Sequence, residues 1–167
     1  MRVVVAFLVA LAASGAGAAA AAGPSACNGF AELCPMPYSS VATATTHNAY
    51  AVGPYPAANQ NNPVARQLED GIRGLSLDIM YPSATNQSAI YLCHTDCSLL
   101  SAGSLVDTLK VIAYFLHANP NEVVTIFFEN DNIPPDKIRE PFVDAGLDSL
   151  AFVPSSQTAW PTLGEMI

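Results

Sequence analysis

His47, Asp78 and His94 are the residues of this 167-residue chain whose types and spacing could do acid–base chemistry. His47 stands in Ala44-Thr45-Thr46-His47-Asn48-Ala49-Tyr50, directly after Val41-Ala42-Thr43, so it reads as the tip of a short strand. His94 arrives the same way, at the end of Ile90-Tyr91-Leu92-Cys93-His94. Between them Gly71–Tyr81 reads as a strand with Asp78 on an otherwise apolar run. Imidazole titrates near neutral pH and can take or give a proton, so two histidines beside a carboxylate form a site if their strands are neighbours. A histidine in a strand is commonly structural when it stands alone. His117, on a helix next to Ala118-Asn119-Pro120, reads as a partner of the helix C-terminus or a solvated residue.

The elements that must position these groups alternate. A strand from Val41 to about His47 is followed by a loop rich in Pro, Asn and Gly over 50–63. Asn62 and Pro63 then open a short helix that Gly71 ends. In the strand Ile72–Met80 the period of two puts Ser76 and Asp78 on one face, with Leu75, Leu77 and Ile79 on the other. Ile90–Cys93 is the next strand. Ser104-Leu105-Val106-Asp107 has capping-box spacing and opens a helix with Leu105, Leu109, Ile112, Phe115 and Leu116 as its apolar positions. Val123–Phe128 is near-continuously apolar, the pattern of a strand buried on both faces, and ends at Glu129. A helix over 137–145, a short strand near Leu150–Val153 and a helix opening at Thr162 complete the order. This is largely the βα alternation of a parallel sheet. Arg73, just before its strand's core, is expected to pair with an acidic neighbour rather than to bind phosphate.

Met1-Arg2, the apolar run Val3–Leu11 and the small residues up to Ala22 have the build of a secretory signal peptide over 1–22. The strongly apolar part is shorter than the ~20 residues a membrane span needs, and no later segment is long and apolar enough. Removing the leader takes Arg2 with it, leaving five basic residues against fourteen acidic and a net charge of −9. That balance argues against nucleic acid or an anionic membrane surface as a purely electrostatic partner. Four cysteines in a secreted chain imply disulfides. Three connectivities are open, and the local pairs Cys27–Cys34 and Cys93–Cys97 are preferred over zinc, whose usual ligand spacing differs. Residues 23–40 then form a cysteine-closed cap on a domain over 41–167. Asn86-Gln87-Ser88 is an acceptor sequon, so a glycan is expected on Asn86.

Four motifs in order carry a resemblance. They are Thr46-His47-Asn48-Ala49-Tyr50; Gln67-Leu68-x2-Gly71-Ile72-Arg73-Gly74-Leu75-x-Leu77-Asp78; Leu92-Cys93-His94; and Leu116-x2-Asn119-Pro120-Asn121-Glu122-Val123-Val124-Thr125 through to Glu129. In this the chain resembles phosphatidylinositol-specific phospholipase C X-domains, and within them the secreted PLC-like phosphodiesterases of eukaryotes. The resemblance implies an α/β fold, a TIM-type (β/α)8 barrel. Such a barrel takes about 250 residues, so these would be its first four to five βα units. It implies a phosphoric diester hydrolase acting on a lipid or glycolipid phosphodiester, with His47 as general base on a ring 2-hydroxyl and His94 as general acid to the leaving alcohol. It also implies a Ca2+ (or Mg2+) site at Asn48, Asp78 and Glu129, all oxygen donors as a hard cation requires. One family position departs: the first of two acids on the second strand falls on Ser76, which lowers the site's charge and weakens calcium binding. Metal-free bacterial members carry an arginine at the place of Asp78, and this chain does not. The alternative is a catalytically inactive secreted binding protein or a truncated gene product, because Thr162–Ile167 stops within the first turn of a helix in a domain that normally continues.

Overall fold

The computed structural model describes the backbone of residues 3–7 and, in full, residues 23–154 and 159–167. The leader expected over 1–22 therefore lies mostly outside the described residues. Its segment Val3–Phe7 is described as a strand, β1, antiparallel to the outer edge of a strand at Val124–Asn130.

The fold is mixed α/β, built on one curled sheet. Its strands after β1 are β2 (Thr45–Thr46), β3 (Gly74–Met80), β4 (Tyr91–Cys93), β5 (Ser101–Ser104), β6 (Val124–Asn130) and β7 (Ala151–Phe152). The hydrogen-bonded order is β5-β4-β3-β6-β1-β7, with β2 joined to β3. The parallel pairs are β2–β3 and β3–β6; the pairs formed by β1, and β3–β4 and β4–β5, are antiparallel. The parallel sheet expected from the sequence is thus found only around β3. Strand β4 is the first arm of a hairpin with β5, not a further parallel strand.

Strand β3 organises the sheet. One edge bonds β6 along Gly74–Ile79. The other edge is shared: β2 takes its start, at Gly74 and Leu75, and β4 takes its end, at Ile79 and Met80. A gap is left between them. Gly74 lets β2 approach, because a Cβ built there would fall 2.8 Å from the Cβ of Thr45.

The alternation read from the sequence holds in the packing. Leu75, Leu77 and Ile79 of β3 and Ile126 and Phe128 of β6 face outward into the core. There they meet α1 (Val64–Glu69), α2 (Leu105–Ala118) and α3 (Pro135–Asp144). Phe128 stands edge-on to Phe142 of α3 at 6.0 Å. Each such side chain removed from water contributes roughly 1.5–3 kcal/mol. Ser104 caps α2, its hydroxyl accepting from the Val106 amide at 3.2 Å, although Asp107 does not close the expected box. Asn62 does not cap α1; its amide reaches Asp70, and Pro63 holds the cap position.

The disulfide Cys27–Cys34 closes the N-terminal loop, which packs with Val123, Leu163 and Met166 under the start of β6. Asn28 ties it there with two bonds, accepting from the Val123 amide at 2.7 Å and donating to the Val123 carbonyl at 3.3 Å. Helix α4 (Leu163–Met166) opens with the capping box of Thr162 and Glu165 and rests on Cys34.

Arg73 lies at the same end. Its Nε donates to Glu122 at 2.6 Å, its Nη1 to the carbonyls of Leu68 and Ile72, and its guanidinium stacks 4.8 Å from the Phe115 ring. The pairing expected for Arg73 is the one observed. Arg73→Ala would strand Glu122, whose side chain is only 14% exposed, so a loss of about 3 kcal/mol is expected in urea unfolding. A loss under ~1 kcal/mol would show the pair to be solvent-screened.

Candidate active site

Both histidines are delivered to the gap on the shared edge of β3. Strand β2 runs up beside β3 and ends at Thr46, so His47 follows at the gap. Strand β4 runs the other way, entering opposite Met80 and leading back past Ile79, so His94 reaches the same gap from the opposite side. The two histidines thus follow strands that run in opposite directions along one edge.

The loop after β2 is clamped where it must turn. Asn48 takes a φ of +46°, a left-handed conformation that asparagine tolerates better than most residues. That turn sends His47 to the surface while Asn48 goes inward, fully buried. The Ala49 amide donates to the Ser76 carbonyl at 2.9 Å. Gln67, buried on α1, donates to the carbonyls of Ala49 and Asn62 and accepts from the Thr46 hydroxyl at 2.7 Å. Gln60 donates to the His47 carbonyl at 2.6 Å, and the Asn59 amide lies 3.3 Å from His47 Nδ1.

His94 sits in a ring closed by the Cys93–Cys97 disulfide, and its Nδ1 lies 3.0 Å from the Thr95 hydroxyl. Thr95 has a φ of +61°, unusual for a β-branched residue. No described hydrogen bond engages Nε2 of either imidazole.

Between the histidines lies Asp78, directly paired across the sheet with Glu129. Asp78 is almost wholly buried, whereas Glu129 is exposed. Tyr50 donates its hydroxyl to Asp78 Oδ2 at 3.0 Å. The Asn48 amide lies 3.1 Å from both carboxylate oxygens, and with its nitrogen facing them it donates to both. Burial pushes the Asp78 carboxyl up from its usual range; the Tyr50 bond opposes this, the Glu129 charge adds to it, and both imidazoles oppose it. The Tyr50 hydroxyl is raised in turn, by burial first and then by the Asp78 charge.

The sequence-predicted residues His47, Asn48, Asp78, His94 and Glu129 therefore meet in one place. Among the described residues no three His, Cys, Asp or Glu side chains cluster as a metal site, so a cation here would need the Asn48 amide oxygen as well. The predicted disulfides Cys27–Cys34 and Cys93–Cys97 both form. Asn86 is exposed on the loop before β4, its Oδ1 accepting from the Ser88 hydroxyl at 2.8 Å. His117 is exposed near the end of α2, away from this group. Sequence reasoning gave no role to Tyr50 or Gln67, although both lie inside the motifs it singled out.

Comparisons with known proteins give the family. Residues 33–167 match the family described as PI-PLC X 1. The chain belongs to the PI-PLC X-domain family. It is 37% identical over 147 residues to an uncharacterized secreted protein of Arthroderma benhamiae, covering 84% of this chain and 32% of that one. A PI-PLC X domain-containing protein of the same fungus is 35% identical over 147 residues, covering 84% and 47%. One from Arabidopsis thaliana is 31% identical over 149 residues, covering 79% and 34%. The chain thus spans between about a third and a half of the length of these relatives. No solved structure matches it significantly. No described helix is long and apolar enough to cross a membrane.

The buried carboxylate makes stability depend on pH. Because Asp78 holds its proton more tightly when folded, the native state binds more protons than the unfolded chain between the ordinary value near ~4 and the raised one. Stability is therefore lost as pH rises through that window, and the deficit persists above it. Asp78→Asn is expected to remove the deficit, so that its urea midpoint at pH 7 equals or exceeds that of the wild type. A wild type clearly more stable than the variant at pH 7 would contradict the assignment.

Proposed function

We propose that the protein is a secreted phosphoric diester hydrolase of phospholipase C type, acting on a lipid or glycolipid phosphodiester. The described strands would supply the first part of a (β/α)8 barrel. The observation that carries the reading is that β2 and β4, running in opposite directions along one edge of β3, each lead into a histidine, with Asp78 and Glu129 paired beside them. An in-line displacement at phosphorus needs its base and its acid on opposite sides.

In the first step His47 takes the proton of the ring 2-hydroxyl as that oxygen bonds to phosphorus. The bond from phosphorus to the other alcohol breaks, and His94 gives its proton to the departing oxygen. The product is a cyclic phosphate, which water opens with the two roles reversed. For Nε2 of His47 to act as base its ring proton must sit on Nδ1, so the Asn59 amide, whose nitrogen lies 3.3 Å from Nδ1, would have to turn its oxygen to that atom. The Thr95 hydroxyl supports Nδ1 of His94 as an acceptor.

The donor types also fit a hard cation. For the Asn48 oxygen to serve as a ligand, its amide must turn from the orientation in which its nitrogen donates to Asp78. Asn48, Asp78 and Glu129 would hold Ca2+ or Mg2+, and the ion would neutralise charge developing on the phosphoryl oxygens. With Ser76 where a second acid would add charge, binding weaker than about 0.1 mM is expected. The Asn86 loop would carry a glycan.

A second reading, a secreted binding protein without turnover, is favoured by Ser76 alone. One assay separates the two. Release of cyclic phosphate from a phosphoinositide by the full-length protein should fall at least ~100-fold on His47→Ala and on His94→Ala. Unchanged cleavage in either variant would exclude the assigned roles, and binding without cleavage in the wild type would establish the second reading. Chelation of divalent cations should lower turnover, and about 1 mM calcium should restore it.

A further inference from the structure

Gln67 is a polar side chain in an apolar setting. It stands on α1, the helix whose Val64 and Leu68 pack into the core, and is itself only 4% exposed. A leucine would fill such a space with no hydrogen bonds to find, whereas a buried amide is costly until its oxygen and both its N–H groups are partnered. Here all three are. Oε1 accepts from the Thr46 hydroxyl at 2.7 Å, and Nε2 donates to the carbonyls of Ala49 at 2.8 Å and Asn62 at 2.7 Å.

Two of these partners bracket His47. Thr46 precedes it and Ala49 follows Asn48, so residues 47 and 48 hang between two points fixed by one planar group. The third, Asn62, ends the loop that returns the chain to α1. We propose that Gln67 is the positioning residue for His47: it fixes where the imidazole stands, and its loss slows turnover without weakening substrate binding. The kinetic half of this inference rests on the phosphodiesterase reading; the placement of the imidazole does not.

Two further observations support it. The imidazole has little of its own to hold it: His47 is exposed, and its one described side-chain bond is the 3.3 Å contact with Asn59, which is exposed as well. Its position must therefore come from the backbone on either side, which Gln67 holds. His94 is held by other means, in the ring closed by Cys93 and Cys97, and Gln67 has no described bond to that ring. Loss of the amide should then displace one imidazole and spare the other, which a general loosening of the fold would not do. A base misplaced by about 1 Å costs on the order of a hundredfold in rate.

The test uses two variants of the full-length protein. Gln67→Met keeps the length of the side chain without its donors, and Thr46→Val removes only the bond to Oε1. With a phosphoinositide as substrate, Gln67→Met should lower kcat by about 10- to 100-fold and leave KM within ~2-fold of the wild type. Thr46→Val should lower kcat by about 3- to 10-fold, and by less than ~2-fold when Gln67→Met is already present. Ring 1H–15N spectra give the second readout: the His47 signals should shift or broaden in Gln67→Met while those of His94 stay in place. A kcat within ~2-fold of the wild type in folded Gln67→Met, or equal displacement of both histidines, would overturn the inference. Should Gln67→Met fail to fold, Thr46→Val decides by the same two readouts. If the wild type cleaves nothing, the phosphodiesterase reading fails, and the spectra decide the positioning separately. Movement of His47 alone would sustain it, and unmoved signals would overturn it.

Discussion

The carboxylate of Asp78 sits almost fully buried on the strand that pairs with β2, β4 and β6, and the loop after β2 is shaped to satisfy it. Asn48 turns left-handed to bring its amide to that carboxylate, and the same turn leaves His47 at the surface. Tyr50, two residues on, adds the hydroxyl. An isolated buried charge costs several kcal/mol, so these donors are a condition of the fold as well as of the site. Local stability and site geometry are therefore set by the same few atoms. Gln67 extends the arrangement to α1, which bonds the loop from beneath.

The second constraint is the divided edge of β3. Had β2 continued alongside β3 for its full length, no room would remain for β4 or for either histidine. Two paired residues in β2, followed at once by a turn, leave that edge open at the level of Ser76 and Asp78. The antiparallel return of β4 then brings His94 inward instead of out over the rim. The resulting site has its histidines on loops and its carboxylates on adjacent strands, so the carboxylates are fixed more firmly than the imidazoles.

Much of this was legible in the residues. The alternation in Ile72–Met80 told which side chains face the core, and the run from Val123 gave β6 to within two residues of its end. The helix opening at Thr162 and the Ser104 cap are local chemistry and appear as read, although the capping box closes at Thr162 and not at Ser104. What escaped depends on partners distant in sequence. Ser101-Ala102-Gly103-Ser104 has no strand pattern of its own and becomes β5 only by pairing with β4. The direction of β4 likewise is a tertiary outcome that periodicity does not encode. Asn62 had the right type for a cap but was drawn to Asp70. Tyr50, at the start of a segment dense with Pro, Asn and Gly, and Gln67, on the short helix after it, carried no sign of burial. The pairing of Val3–Phe7 follows from the open edge of β6, whose free amides and carbonyls accept an extended apolar segment.

The ring that encloses His94 has a consequence for where the site can assemble. Cys93 and Cys97 bracket the histidine, and the ring carries the left-handed Thr95 that supports its Nδ1. That bond forms only where thiols oxidise. A chain held in a reducing compartment would keep both imidazoles in its sequence but only His47 in its place, since the clamps on His47 are amides and carbonyls. Maturation of the site would then follow export, and a precursor that strayed into the cytosol would be chemically silent.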